Sequence, residues 1–238
     1  MLWLSRKDIE HISRRLLRDY LKKVPQKIDH IDPADFAEKM CGLQFTFADI
    51  SEAHDAIGLT ATSGVIITIP QRDGTRLDYE LDGKTAFIDQ SLVAENQIGR
   101  LNFTMMHEAA HQLFWMLYPE EYEAQIPRCV FRMADEHTQY PVLDWEEWQT
   151  NVLTSFLLLP KELVYRHMAD VGLKDGVSVL NRIYARKDYE RFSEAAKRLG
   201  VSKTALTIRL SQLGLVGRND LYDPYALVDI FPEKNEIA

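Results

Sequence analysis

Phe103-Thr104-Met105-Met106-His107-Glu108-Ala109-Ala110-His111-Gln112-Leu113-Phe114-Trp115 is the stretch from which the rest of the chain can be read. Apolar residues flank an H-E-x-x-H run, the pattern of a buried helix with two histidines four positions apart. On a helix that spacing stacks both side chains on one face, so the two imidazoles can reach one metal ion. Glu108 projects from the next position, placed to touch an attacking water rather than the ion. These residue types at these intervals are what a zinc hydrolase needs. The bland alternative is a helix whose histidines are partly buried and hydrogen-bonded, so the metal reading calls for a third ligand.

Three protein ligands with one open position is the usual catalytic zinc arrangement, and two histidines with one glutamate is a recurring set. The downstream acids include Glu120, Glu121, Glu123, Asp135, Glu136, Asp144, Glu146 and Glu147. Glu147 stands out because Trp148-Gln149-Thr150-Asn151 and a long apolar run follow it, closing at Pro160. That run reads as a second buried helix with the proline at its end. Glu147 and Asn151 lie four apart on one face. Glu147 is therefore the expected metal ligand, with Asp144 and Glu146 as competitors. Asn151 is the expected partner for the second ring nitrogen of a zinc histidine, which would fix its tautomer. The metal itself reads as Zn²⁺, with Mn²⁺ or Fe²⁺ as alternatives.

Together, Phe103-Thr104-x-x-His107-Glu108-x-x-His111, Glu147-x-x-x-Asn151 and Leu157-Leu158-Leu159-Pro160 resemble the ImmA/IrrE family of metallo-endopeptidases. Ile31-Asp32-Pro33 with Ala37-Glu38, and Val201-Ser202 with Ala205-Leu206 and Arg209-Leu210, are similar too, extending the likeness over about residues 28 to 216. Ala110, Thr150, Leu153 and Leu159 depart mildly from the family's usual residues. The interval from His111 to Glu147 is longer than in compact members and reads as an insertion at about 118–142, either a lid or an ordered surface loop. The resemblance implies a site-specific protease that cuts a helix-turn-helix repressor and derepresses mobile-element, prophage or stress genes.

At 238 residues and 46% hydrophobic, the chain has ample material for a core. Its formal net charge of −8 argues against a surface that binds nucleic acid or anionic membrane as a whole. No apolar run is long enough to span a bilayer. Met1-Leu2-Trp3-Leu4 runs straight into Ser5-Arg6-Lys7-Asp8, unlike a secretory leader, so the cytoplasm is the expected location. Cys41 and Cys129 stand far apart outside any metal-spaced motif and read as reduced, packed thiols.

The expected fold class is α+β, in three parts. Residues 1–27 hold an amphipathic helix, with Ser5 and Asp8 as a capping box. Residues 28–175 form the metallopeptidase domain. It opens with a helix bracketed by Asp32, Pro33 and Gly42, followed by a small, mostly antiparallel sheet. Its strands are read at Leu43–Phe47, Val65–Ile69, Leu77–Leu81 and Thr85–Asp89, the last two flanking a turn at Asp82-Gly83-Lys84. Ala86–Asp89 is the candidate edge for an added peptide strand. A long helix over Glu95–Leu117 carries the histidines, and a short one follows from Lys161 to about Met168. Residues 176–238 form a helical, helix-turn-helix-like tail, with Gly200 in the turn, Ser202 capping and Ala196 and Leu206 facing inward.

Two functional readings remain at this point. In the first, Glu108 is the general base of an endopeptidase whose metal His107, His111 and Glu147 hold. In the second, the chain is a DNA-binding regulator with a structural or sensory metal site. Its support is residues 191–218, where Arg191, Lys197, Arg198, Lys203, Arg209 and Arg218 face the single acid Glu194. Packing against the peptidase core is the other use for that segment. His137 and Tyr140 are outlying candidates for a proton donor to the transition state.

Overall fold

The computed structural model describes residues 3–24, 27–71, 73–121, the backbone of 129–133, and 145–225. The fold is α+β, with seven α-helices among the described residues and small mixed sheets. The helices are α1 (Arg6–Lys23), α2 (Pro33–Cys41), α3 (Ile98–Leu117), α4 (Trp145–Leu158), α5 (Lys161–Asp170), α6 (Arg186–Arg198) and α7 (Lys203–Gln212). The strands are β1 (Gln44–Ala48), β2 (Ala56–Ala61), β3 (Ser63–Pro70), β4 (Arg76–Asp82), β5 (Thr85–Asp89), β6 (Cys129–Met133), β7 (Val177–Leu180) and β8 (Val216–Asn219).

Local chemistry sets the element ends where the sequence marks them. Ser5 and Asp8 form the reciprocal capping box of α1. Asp32 caps α2 through the backbone N–H groups of Ala34 and Asp35, Pro33 occupies its first position, and Gly42 ends it in the left-handed conformation. Pro160 separates α4 from α5, because its ring prevents the helix from continuing.

The main sheet has the order β1-β5-β2-β6; β1 runs parallel to β5, while the β5–β2 and β2–β6 pairs are antiparallel. β3 and β4 form a separate hairpin through the Gln71–Thr75 turn. Asp82-Gly83-Lys84 therefore joins β4 of one sheet to β5 of another and is not the expected hairpin turn. Ala86–Asp89 is not an edge, since β5 lies between β1 and β2. The expected edge fails because β2, a fully buried Ala56–Ala61 run without polar alternation, leaves no period to read in the sequence.

The main sheet is a middle layer. On one face Leu59 of β2 and Phe87 of β5 pack against Ile67, Ile69 and Leu81 of the β3–β4 hairpin. On the other, Ile57 and Ile88 pack with Leu92 and with Met105 of α3. Asp89, fully buried at the end of β5, accepts from the backbone N–H groups of Ile50 and Ser91 and bonds the His54 ring at 3.0 Å. It ties the loop before β2 to the chain leading into α3.

The division at residues 27 and 176 does not correspond to separate cores. Ile9, Leu16 and Tyr20 of α1 share one hydrophobic cluster with Phe114 of α3, Leu157 of α4, Phe192 of α6 and Leu206 of α7. The helical tail is built as expected: Gly200 is left-handed at φ 68° and Ser202 caps α7 through Ala205. Gly99 at the start of α3 lies so close to the Val201–Ser202 backbone that a side chain there would collide, and Asn102 donates to the Gly200 carbonyl at 2.8 Å. Much of the insertion read at 118–142 lies outside the described residues, including His137, Tyr140 and the Cys129 side chain; within it β6 is a strand on the main sheet.

Candidate metal centre

From Thr104 to Trp115 every residue of α3 is buried, because the sheet covers one side and α2 and α4 cover the others. A helix apolar on nearly all faces belongs in such a setting, and the polar residues within it stand out. His107 and His111, one turn apart, present their rings to α4. Glu108, rotated by one position, turns toward β2.

The two imidazoles converge through Nε2, at 3.1 Å from each other. Glu147 on α4 meets both: one carboxylate oxygen is 3.1 Å from His107 Nε2 and the other 3.0 Å from His111 Nε2. All three donor groups lie within 4.8 Å of one another. A tetrahedral ion with Zn–N bonds of about 2.0–2.1 Å sets its ligand nitrogens about 3.3 Å apart, so the observed spacing fits such an ion closely. Two neutral nitrogens and one carboxylate are also a donor set of the right hardness for zinc.

The electrostatics agree with a cation site. Burial alone would push the His111 imidazole down, but the carboxylates of Glu146 and Glu147 outweigh it and raise it to about 9. Burial alone would push Glu147 up, but its bonds to His107 and His111 hold it well below the usual carboxylate range. The three groups thus favour a positive charge among them.

Asn151 does not orient either ring. It is exposed, and the residues beside His111 Nδ1 are Thr150, whose hydroxyl lies 3.5 Å away, and Glu146, whose carboxylate lies at 3.8 Å. The physical reason is a helical phase one residue earlier. Glu146 and Thr150 stand four apart on the buried flank of α4, with the Thr150 hydroxyl donating to the Glu146 carbonyl, while Glu147 reaches the two Nε2 atoms from the rim. The spacing 146–150 was as readable as 147–151, but no sequence signal chose between them.

Glu108 is 1% exposed and lies against Gly58 of β2. A Cβ at position 58 would overlap the Glu108 carboxylate and crowd the Thr104 methyl. One turn further along α3, the Gln112 amide donates to the Thr60 hydroxyl at 2.9 Å and the Ala61 carbonyl at 3.0 Å. β2 is therefore fastened alongside the histidine helix. Its pairing with β6 shifts register between Ala56 and Gly58, an irregularity of the kind that re-aims chain beside active sites. Gly58 escaped the sequence reading because a lone glycine carries no motif. Neither a protein-family model nor a curated protein sequence matches this chain.

Proposed function

We propose that the protein is a zinc-dependent endopeptidase. The observation that carries this is the convergence of His107 Nε2, His111 Nε2 and the Glu147 carboxylate, with a buried carboxylate, Glu108, next to His107 on the same helix. A purely structural zinc site is usually closed by a fourth protein ligand and has no use for a general base. When bound, zinc would polarise the scissile carbonyl and make an attacking water more acidic near neutral pH.

The chain's own residues supply the rest. His107, His111 and Glu147 hold the ion, and Glu146 and Thr150 fix the His111 ring. Glu108 accepts the proton of the attacking water as its oxygen bonds to the carbonyl carbon. It then delivers that proton to the amide nitrogen as the C–N bond breaks. Gly58 leaves room for the carboxylate, which is buried away from bulk water.

The sequence resemblance to the ImmA/IrrE family supports a finer reading, in which the substrate is a helix-turn-helix repressor and cleavage derepresses mobile-element, prophage or stress genes in the cytoplasm. Among the described residues no helix is long and apolar enough to cross a membrane. The test is metal analysis of the purified protein together with incubation with the repressor encoded beside its gene. Chelator and Glu108→Gln controls accompany it. A zinc-loaded protein that leaves both that repressor and unfolded casein intact would overturn the proposal.

The DNA-binding alternative draws on the basic segment 191–218. Arg209, however, is turned inward, donating to the Leu159 carbonyl at 3.0 Å and stacking over Phe156, and the turn before α7 is packed on α3. Salt-sensitive, sequence-selective gel shifts would favour that reading.

A further inference from the structure

On the sheet face away from α3, a groove of about 920 Å³ runs between β1 and β4. Its volume is at the upper end of the range of about 300–1,000 Å³ usual for ligand sites. β1 is the edge of the main sheet and β4 pairs only with β3, so among the described residues each wall of the groove is a strand with one unpaired edge. Such edges are templates for an added strand. Phe47 and Leu77 line the groove and are 43% and 48% exposed, and Tyr79 of β4 lines it too.

Among the described residues the charge in the groove has one sign. Asp49, Asp73, Glu80 and Asp82 line it, and no Lys, Arg or His does among the described residues. The hydrogen-bond partners of Asp73 and Asp82 are neutral hydroxyl and backbone N–H groups of Thr75, Lys84 and Thr85, which orient the carboxylates without cancelling their charge. The chain's own C-terminal stretch is a poor occupant, because residues 226–238 carry Asp229, Glu233 and Glu236 against Lys234.

We propose that this groove docks an extended segment of the substrate protein in which apolar residues alternate with Lys or Arg, pairing with a strand edge while its cations face Asp73, Glu80 and Asp82. The substrate role rests on the peptidase reading, whereas the binding itself does not. A segment held there, on the face opposite the histidine helix, would fix which protein is presented to the metal centre independently of the bond that is cut.

The test is fluorescence anisotropy with a labelled peptide of about nine residues alternating valine and lysine. The receptor is the full-length chain carrying Glu108→Gln, so that turnover cannot consume the probe. Saturable binding is expected, weakened about tenfold or more by Asp73→Lys with Glu80→Lys and by raising salt well past the point where the Debye length falls below about 5 Å. A matching peptide with glutamate for lysine should not bind. On the wild-type background the double variant should keep the cleavage rate of a short neutral peptide and lose at most a few degrees in thermal midpoint, from the Asp73–Thr75 turn bonds. Equal binding by the variant, or by the acidic peptide, overturns the proposal. So does a concentration-dependent dimer that the double variant abolishes, which would make a second copy the occupant. Failure of the peptidase reading would instead show as no metal-dependent cleavage by the wild type, leaving the anisotropy result intact.

Discussion

Gly58 of β2 stands where any side chain would displace the carboxylate of Glu108 on α3. The sheet meets the histidine helix here at a residue that has no Cβ, and the residue it faces is the proposed base. Gly58→Ala should therefore leave the zinc content unchanged and lower kcat by about ten- to a hundredfold, the cost of roughly an ångström of misplacement of a reacting group. Metal analysis beside steady-state kinetics checks this. Full activity in Gly58→Ala would mean that Glu108 is not held by β2.

Glu108 and Glu147 should separate cleanly. Glu108→Gln is expected to retain zinc and lose about 10²–10⁴ in kcat, the usual contribution of a general base. Glu147→Gln should weaken zinc affinity by more than about a hundredfold, beyond what loss of an outer hydrogen-bond partner costs. Competition with a chromogenic chelator gives the affinities. Equal zinc affinity in the two variants would remove Glu147 from the ligand set.

A third comparison decides which α4 residue orients His111. Thr150→Val should cost about tenfold or more in zinc affinity, while Asn151→Ala, at an exposed position, should stay within about twofold. The reverse order would restore Asn151 to the role its spacing first suggested.

The His54–Asp89 pair makes stability depend on pH. The hydrogen bond to Asp89, and then its charge, raise the His54 imidazole above its ordinary value. A raised folded value means that the contribution is fully present below about pH 6.5 and fades as pH rises through the folded value. His54 is half exposed, so the effect is a few degrees or less in thermal midpoint. Melting the zinc-loaded wild type and His54→Gln from pH 5.5 to 8.5 should show the two curves converging at the alkaline end. A constant gap across that range would remove the ion pair as its cause.

Much of this centre is legible in the amino-acid sequence. The two histidines, their spacing and Glu147 follow from helical periodicity and the chemistry of zinc ligands. The Asp32-Pro33…Gly42 bracket and the Gly200–Ser202 turn follow from capping rules, which depend on only a few neighbouring residues. What failed was non-local. β2 reads as an unpatterned apolar run because both its faces are buried, and without it β5 looks like an edge and Asp82-Gly83-Lys84 like a hairpin turn. Asn151 failed because residues 146–151 offer two overlapping four-residue spacings, and only the packing of α4 on α3 selects the earlier one. Arg209 counted toward a basic surface until its guanidinium was found stacked on Phe156.

The closeness of Gly99 to the Val201–Ser202 backbone carries a design consequence. A chain cut back to residue 175 would strip the first turn of the histidine helix of its neighbour and remove Arg209 from the Phe156 ring and the Leu159 carbonyl. Such a fragment should precipitate rather than serve as a minimal enzyme. Swapping in the C-terminal helices of another protein would work only if the graft brings an equally flat corner to meet that glycine.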